Sequence, residues 1–182
     1  MGDDEEVEEG CGAGGSARAT RDSDTIAAIV TGSAQGAVSI IRLSGPDAVG
    51  IAQGVFRPAG PRSVAAGGAG WAPESHRVYY GTAVDEAGHV LDEVLVLAML
   101  APRSYTAEDV VEVHTHGGGV SAARVLQRCL AAGARRAAPG EFTLRAFLNG
   151  RLDLSQAESV AQVGDGASSR AHGPDHYRNH AV

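Results

Sequence analysis

The strongest constraint on folding is a change of hydrophobic period across consecutive glycines. Val110-Val-Glu-Val-His-Thr-His116 alternates with a period of two, Gly117-Gly-Gly119 follows, and then Val120, Ala123, Val125, Leu126 and Leu130 recur at helical spacing up to Gly133. A strand must therefore run through a tight turn into a helix. Side chains two apart on a strand share a face, so Glu112, His114 and His116 line one side, and Val111, Val113 and Thr115 the other.

The remaining pattern extends this into a mixed sheet. Residues 25–31 and 37–44 are β-rich runs joined by Gly32-Ser-Ala-Gln-Gly36, which predicts a strand pair. Ser44-Gly-Pro-Asp47 introduces a short helix over 48–56, with Pro46 suited to its first turn, and 57–70 reads as a Pro/Gly/Ala-rich loop. Residues 77–84 and 89–100 form a hairpin around Asp85-Glu-Ala-Gly88, and 141–163 gives two helical pieces around Asn149-Gly150. The expectation is an α+β domain in which helices pack on a mixed sheet. Four segments follow: a disordered acidic and Gly-rich leader, 1–23; a domain, 24–150; the start of a helical region, 151–163; and a disordered tail, 164–182.

Composition excludes several chemistries. None of the 15 basic residues is lysine, so this polypeptide alone has neither the lysine of a phosphate-binding loop nor a Schiff-base amine. The net charge of -7 owes much to Asp3, Asp4, Glu5, Glu6, Glu8 and Glu9, and the arginines are scattered, which argues against a polyanion-binding stripe. Cys11 and Cys129 suggest no disulfide framework, and a reducing compartment is expected. No apolar run approaches the roughly 18 residues of a membrane span.

Several side chains invite a chemical role. The carboxylate of Glu112 could accept two hydrogen bonds from an amidine-like heterocycle edge, with the glycines admitting a close backbone approach. The same pattern suits a half-exposed edge strand with a glycine turn, and the residues alone leave both open. His114 and His116 could share a cation, but no third ligand is evident, so no metal site is assigned. His172, His176 and His180 are interrupted by Gly173 and Pro174. Arg42, ending an apolar strand, and Arg145 and Arg151, flanking Phe147-Leu-Asn-Gly150, could each meet an anion or simply be solvated. No catalytic nucleophile or paired-carboxylate arrangement stands out.

Longer blocks carry a resemblance. Asp24-Thr-Ile-Ala-Ala-Ile29, Ile41-Arg-Leu-Ser-Gly-Pro46, Ser104-Tyr-Thr-Ala-Glu-Asp-Val-Val-Glu112, His116-Gly-Gly118, Pro139-Gly-Glu-Phe-Thr143, Arg145-Ala-Phe-Leu-Asn-Gly150 and Leu152-Asp-Leu-Ser-Gln-Ala-Glu158 resemble the amino-terminal domains of the TrmE/MnmE tRNA-modification GTPases. The resemblance implies a fold similar to the tetrahydrofolate-binding domains of aminomethyltransferases, homodimer formation, and binding of 5-formyltetrahydrofolate or a related one-carbon folate. It also implies a GidA/MnmG-type flavoprotein partner and modification of C5 of the tRNA wobble uridine. By position, Arg42, Glu112 and Arg151 match folate contacts, Arg151 standing where many members have lysine.

Beyond Ala161 the resemblance stops, before any G domain, so GTP with its magnesium and potassium belongs to complete members and this chain is not expected to be catalytic alone. The alternative is a non-catalytic fragment that dimerises with a full-length paralogue. A mitochondrial or chloroplast location is expected if a transit peptide is missing from a eukaryotic chain, and a cytoplasmic one otherwise.

Overall fold

A computed structural model describes residues 24–31, 36–60 and 71–160. The 1–23 leader, most of the 32–36 turn and of the 57–70 loop, the end of the 151–163 helical region, the 164–182 tail, Cys11 and the His172, His176 and His180 triplet lie outside them.

The chain builds an α+β domain on a seven-stranded sheet of order β3-β4-β5-β6-β2-β1-β7. Its strands are β1 (Ile26–Ile29), β2 (Val38–Ser44), β3 (Phe56–Pro58), β4 (Arg77–Val84), β5 (Val90–Met99), β6 (Val110–His116) and β7 (Arg135–Arg136). All neighbours are antiparallel except β1 and β7, which run parallel. The helices are α1 (Ala48–Val55), α2 (Val120–Ala131) and α3 (Glu141–Leu148), and the backbone is helical again over 154–160.

One sheet face carries the core. Ile41, Leu43, Val94, Val96, Val111 and Val113 point to the helices, where Ala48, Ile51, Ala52 and Val55 of α1 meet Ala122, Val125, Leu126 and Cys129 of α2. Both helical sets recur at i, i+3, i+4 and i+7, a single stripe facing the sheet. Burial pushes the Cys129 thiol up to about 12, leaving it a small apolar core group.

Three local expectations change. In α2 the buried stripe begins at Ala122 while Val120 and Ala123 face solvent, because adjacent alanines at 122 and 123 make the helical phase ambiguous. Pro46 lies in the turn before α1 rather than in its first turn. The 57–70 loop begins late, since Phe56–Pro58 forms the edge strand β3 against β4, and Phe56 anchors it by packing edge-on to Trp71 at 5.0 Å. The two-residue strand β7 was also unexpected; Arg135 and Arg136 carry no strand periodicity, and the pairing is held by the N–H groups of Arg135 and Ala137 donating to the Thr25 and Ala27 carbonyls.

The glycine run serves the chain itself. A Cβ at Gly117 would stand 1.7 Å from the Gly36 carbonyl oxygen, and the Gly117 N–H donates to Ala37 at 2.9 Å. Gly118 and Gly119 have φ of 102° and 65°, conformations open to glycine, and Gly119 leads directly into α2. Close packing against the Gly36–Ala37 backbone that leads into β2, not room for a ligand, explains Gly117. Gly117→Ala should therefore destabilise the domain by about 2 kcal/mol, the usual scale of overpacking, as a lower urea midpoint with an unchanged m-value.

Candidate functional site

The sheet face opposite α1 and α2 is assembled as cross-strand rows. One runs Ala28, Arg42, Glu112, Leu97, Val78, and the next Ile40, His114, Leu95, Tyr80. Directly opposed residues on one face have Cβ atoms roughly 5 Å apart, which brings Arg42 and Glu112 together. β6 lies between β5 and β2, so the edge-strand reading of its polar face does not hold.

Arg42 Nε donates to Glu112 Oε1 at 2.8 Å, and a terminal guanidinium nitrogen lies 2.7 Å from the same oxygen. Two rings flank the guanidinium: its carbon lies 5.2 Å from the Tyr105 ring centre and 5.6 Å from that of Phe142. Such contacts favour a cation and restrict its rotamers. Glu112 Oε2 lies 3.5 Å from the imidazole Nε2 of His114, too long for a good hydrogen bond.

A second network holds the two rings in place. Tyr105 belongs to the 100–109 loop and Phe142 to α3, and the Tyr105 hydroxyl hydrogen-bonds that of Thr143 at 3.0 Å. Asn149 Nδ2 donates to the Thr106 carbonyl at 2.7 Å, and the Ser44 hydroxyl donates to Glu108 at 2.6 Å. At the centre is Arg145, only 6% exposed, donating to Asp24 at 2.5 Å, to Glu108 at 3.3 Å and to Glu141 at 3.4 Å. Arg145 is therefore neither a solvated helix residue nor a group free to meet an anionic tail.

Arg135 adds to this network by bonding Glu141 and Asp24, both at 2.6 Å. The Arg135 hydrogen bond, reinforced by Arg145, holds the Asp24 carboxyl below its ordinary range against the opposing effect of burial. Arg135 likewise depresses Glu141, and its own ionisation is pushed upward by the two acids.

Arg151 sits elsewhere: it is exposed on the turn after α3, with its backbone N–H bound to the Ala146 carbonyl at 2.8 Å. The structure thus joins Arg42 to Glu112 and gives Arg151 no contact with either. The histidines take separate carboxylates, His114 beside Glu112 and His116 Nδ1 at 2.7 Å from Asp92, and no group of three metal-ligating side chains occurs among the described residues. Among those residues no helix is long and apolar enough to cross a membrane. Tyr105 and Phe142, which sequence reasoning did not single out, complete the surroundings of Arg42; their only signal was membership of the quoted blocks.

Fold and site together define an α+β domain with one sheet face packed by helices and the other presenting a roofed arginine–glutamate pair. The profile of the family described as "GTP-binding protein TrmE N-terminus" matches residues 25–151, and the chain belongs to that family. Among relatives, it is 58% identical over 143 residues to the "tRNA modification GTPase MnmE" of Synechococcus elongatus, covering 77% of this chain and 29% of the relative. The protein of the same description from Synechococcus sp. (strain RCC307) is 56% identical over 156 residues, 84% of this chain and 32% of its own. That of Chloroflexus aurantiacus is 53% identical over 141 residues, covering 78% and 29%. The chain therefore spans less than a third of the length of these relatives.

Two measurements check the networks. Arg145→Ala should cost about 3 kcal/mol by urea denaturation, the low end for breaking a buried pair because Asp24 keeps partial solvent access. His116 is raised above its ordinary 6.5 by its bond to Asp92, and Asp92 is lowered as that bond and the His116 N–H outweigh burial. The His116 contribution is fully present below 6.5 and fades as pH rises through the elevated value; that of Asp92 is present above 3.8 and fades as pH falls through its depressed value. In an NMR titration, Asp92→Asn should return His116 toward 6.5.

Proposed function

We propose that this chain is the tetrahydrofolate-binding, dimerising part of a protein that modifies C5 of the tRNA wobble uridine. The observation that carries the reading is the Arg42–Glu112 pair, roofed by Tyr105 and Phe142 on the open sheet face, in a chain so similar to tRNA modification GTPases. The residues fit a reduced pterin. Glu112 is fixed by Arg42 through one oxygen and keeps Oε2 as an acceptor for ring N–H groups, while Arg42 supplies a cation beside two aromatic surfaces. Arg151, exposed after α3, would meet the anionic glutamate tail through its charge.

When bound, the folate supplies a one-carbon unit; the residues named here bind and orient it. No nucleophile or general acid is assigned to this chain. The flavoprotein partner of the GidA/MnmG type, the tRNA and the GTP-driven step belong to the reading for the full-length relatives. Dimerisation fits the same face, where Val38, Val78, Tyr80 and Leu95 are 50%, 57%, 55% and 45% exposed, Tyr80 standing directly opposite Leu95. Exposed apolar side chains grouped on one face in this way mark an association surface.

Calorimetry with 5-formyltetrahydrofolate should give saturable binding at micromolar protein, and Glu112→Ala should weaken it about 100-fold, the scale of a lost charge-assisted hydrogen bond pair. Absence of heat with the intact chain would sink the folate reading. Light scattering should give a dimer that Leu95→Asp converts to monomer. A dimer that binds no folate would favour the non-catalytic fragment pairing with a full-length paralogue.

A further inference from the structure

The imidazole of His114, on the open face, carries an unsatisfied polar atom. Its Nε2 is shielded from solvent and has no hydrogen-bond partner among the described residues. Glu112 Oε2 stands 3.5 Å away. Leaving a buried donor or acceptor unpaired is unfavourable, so the side chain is held there by its surroundings rather than by a bond of its own. Those surroundings are apolar: Ile40 and Leu95 lie opposite it on the two neighbouring strands. His114 also lines a cavity of about 270 Å³ with Val38, Tyr80 and Leu95, and its side chain keeps 29% exposure.

We infer that His114 is a further ligand-contacting residue, which together with Glu112 Oε2 reads the lactam edge of a heterocycle. The inference rests on the folate reading and deepens it. A lactam presents a carbonyl acceptor next to an N–H donor, in one plane and at fixed spacing. Glu112 Oε2, not used by Arg42, accepts from the ring N–H, and a hydrogen on His114 Nε2 donates to the adjacent carbonyl. A small rotation of the imidazole about its Cβ–Cγ bond, a broad torsion, uncovers Nε2 toward the cavity its ring lines while leaving it beside Glu112, which stands outside that lining. Each group alone is ambiguous: a carboxylate accepts from many donors and an imidazole serves many partners. Side by side on β6 they select against a heterocycle in which the carbonyl is replaced by an amine, because two donors would then face each other.

The test compares tetrahydrofolate with its 4-amino-4-deoxy analogue, by calorimetry on the full chain and on variants whose fold is checked by circular dichroism. His114→Ala should lower the oxo-to-amino affinity ratio about tenfold, the scale of one hydrogen bond in a shielded site. His114→Gln, which keeps a side-chain N–H donor, should recover much of the ratio, whereas Glu112→Ala should weaken both ligands. The His114 ring resonances of the intact protein should shift with tetrahydrofolate more than with the amino analogue. An unchanged ratio in His114→Ala, with the intact chain still binding tetrahydrofolate, overturns this inference and leaves the folate reading standing. If the intact chain binds neither ligand, both fail together.

Discussion

The buried guanidinium of Arg145 is the interaction on which the functional face depends. It meets Asp24, Glu108 and Glu141, carboxylates from the start of the described chain, from the 100–109 loop and from α3. No apolar contact could impose the same geometry, because a planar fork with several donors dictates where each carboxylate must stand. A buried cation is expensive to desolvate, and the surrounding acids offset that cost only in this arrangement. Fixing the loop to the helix is its structural consequence, with Tyr105–Thr143 and Thr106–Asn149 as smaller bonds across the same seam.

That seam decides where the sheet is covered. Near Ser44 the open face lies under the 100–109 loop, the Ser44 hydroxyl itself bonding Thr106 and Glu108. Two residues along β2 stands Arg42, held beneath rings from both joined segments; further along, Ile40 and Val38 lead to the exposed Tyr80 and Leu95. The Arg42–Glu112 pair therefore occupies the border between a covered and an open surface. Such a border suits recognition, since the charges are partly desolvated yet remain within reach of a partner. The opposite sheet face makes this possible by carrying the hydrophobic core on its own.

Much of this arrangement was legible in the chain, for reasons that differ by element. β6 and its alternation followed from the period of two, and the facing of Glu112, His114 and His116 is geometry that no packing could alter. The β4–β5 hairpin followed from its turn residues, and α1 and α3 were expected as helices, although Phe56, read into the first of them, belongs to β3. Long-range pairing was not legible. Nothing local sets Arg42 opposite Glu112, which are brought together by the antiparallel register of β2 and β6 across 70 residues of sequence. Arg145 looked like an ordinary helix cation because its partners at 24 and 108 lie far away in the chain. β3 and β7 are set by docking to finished neighbours, and so leave almost no pattern of their own.

The internal pairing of Arg42 with Glu112 does not use up the carboxylate. Had Arg42 covered both carboxylate oxygens in a parallel fork, any ligand would have had to break the pair and desolvate two charges again. Instead, both guanidinium nitrogens converge on Oε1, so the carboxylate is oriented and partly neutralised while its second oxygen keeps acceptor capacity. The ordering of Glu112 and its loss of water are then already met in the unliganded fold, which favours affinity by pre-organisation rather than by added contact area. The aromatic flanks of Arg42 act in the same direction by holding the cation without occupying the carboxylate. An ion pair that leaves one oxygen spare, set at the limit of a sheet's cover, can thus be stable in itself without closing off its carboxylate.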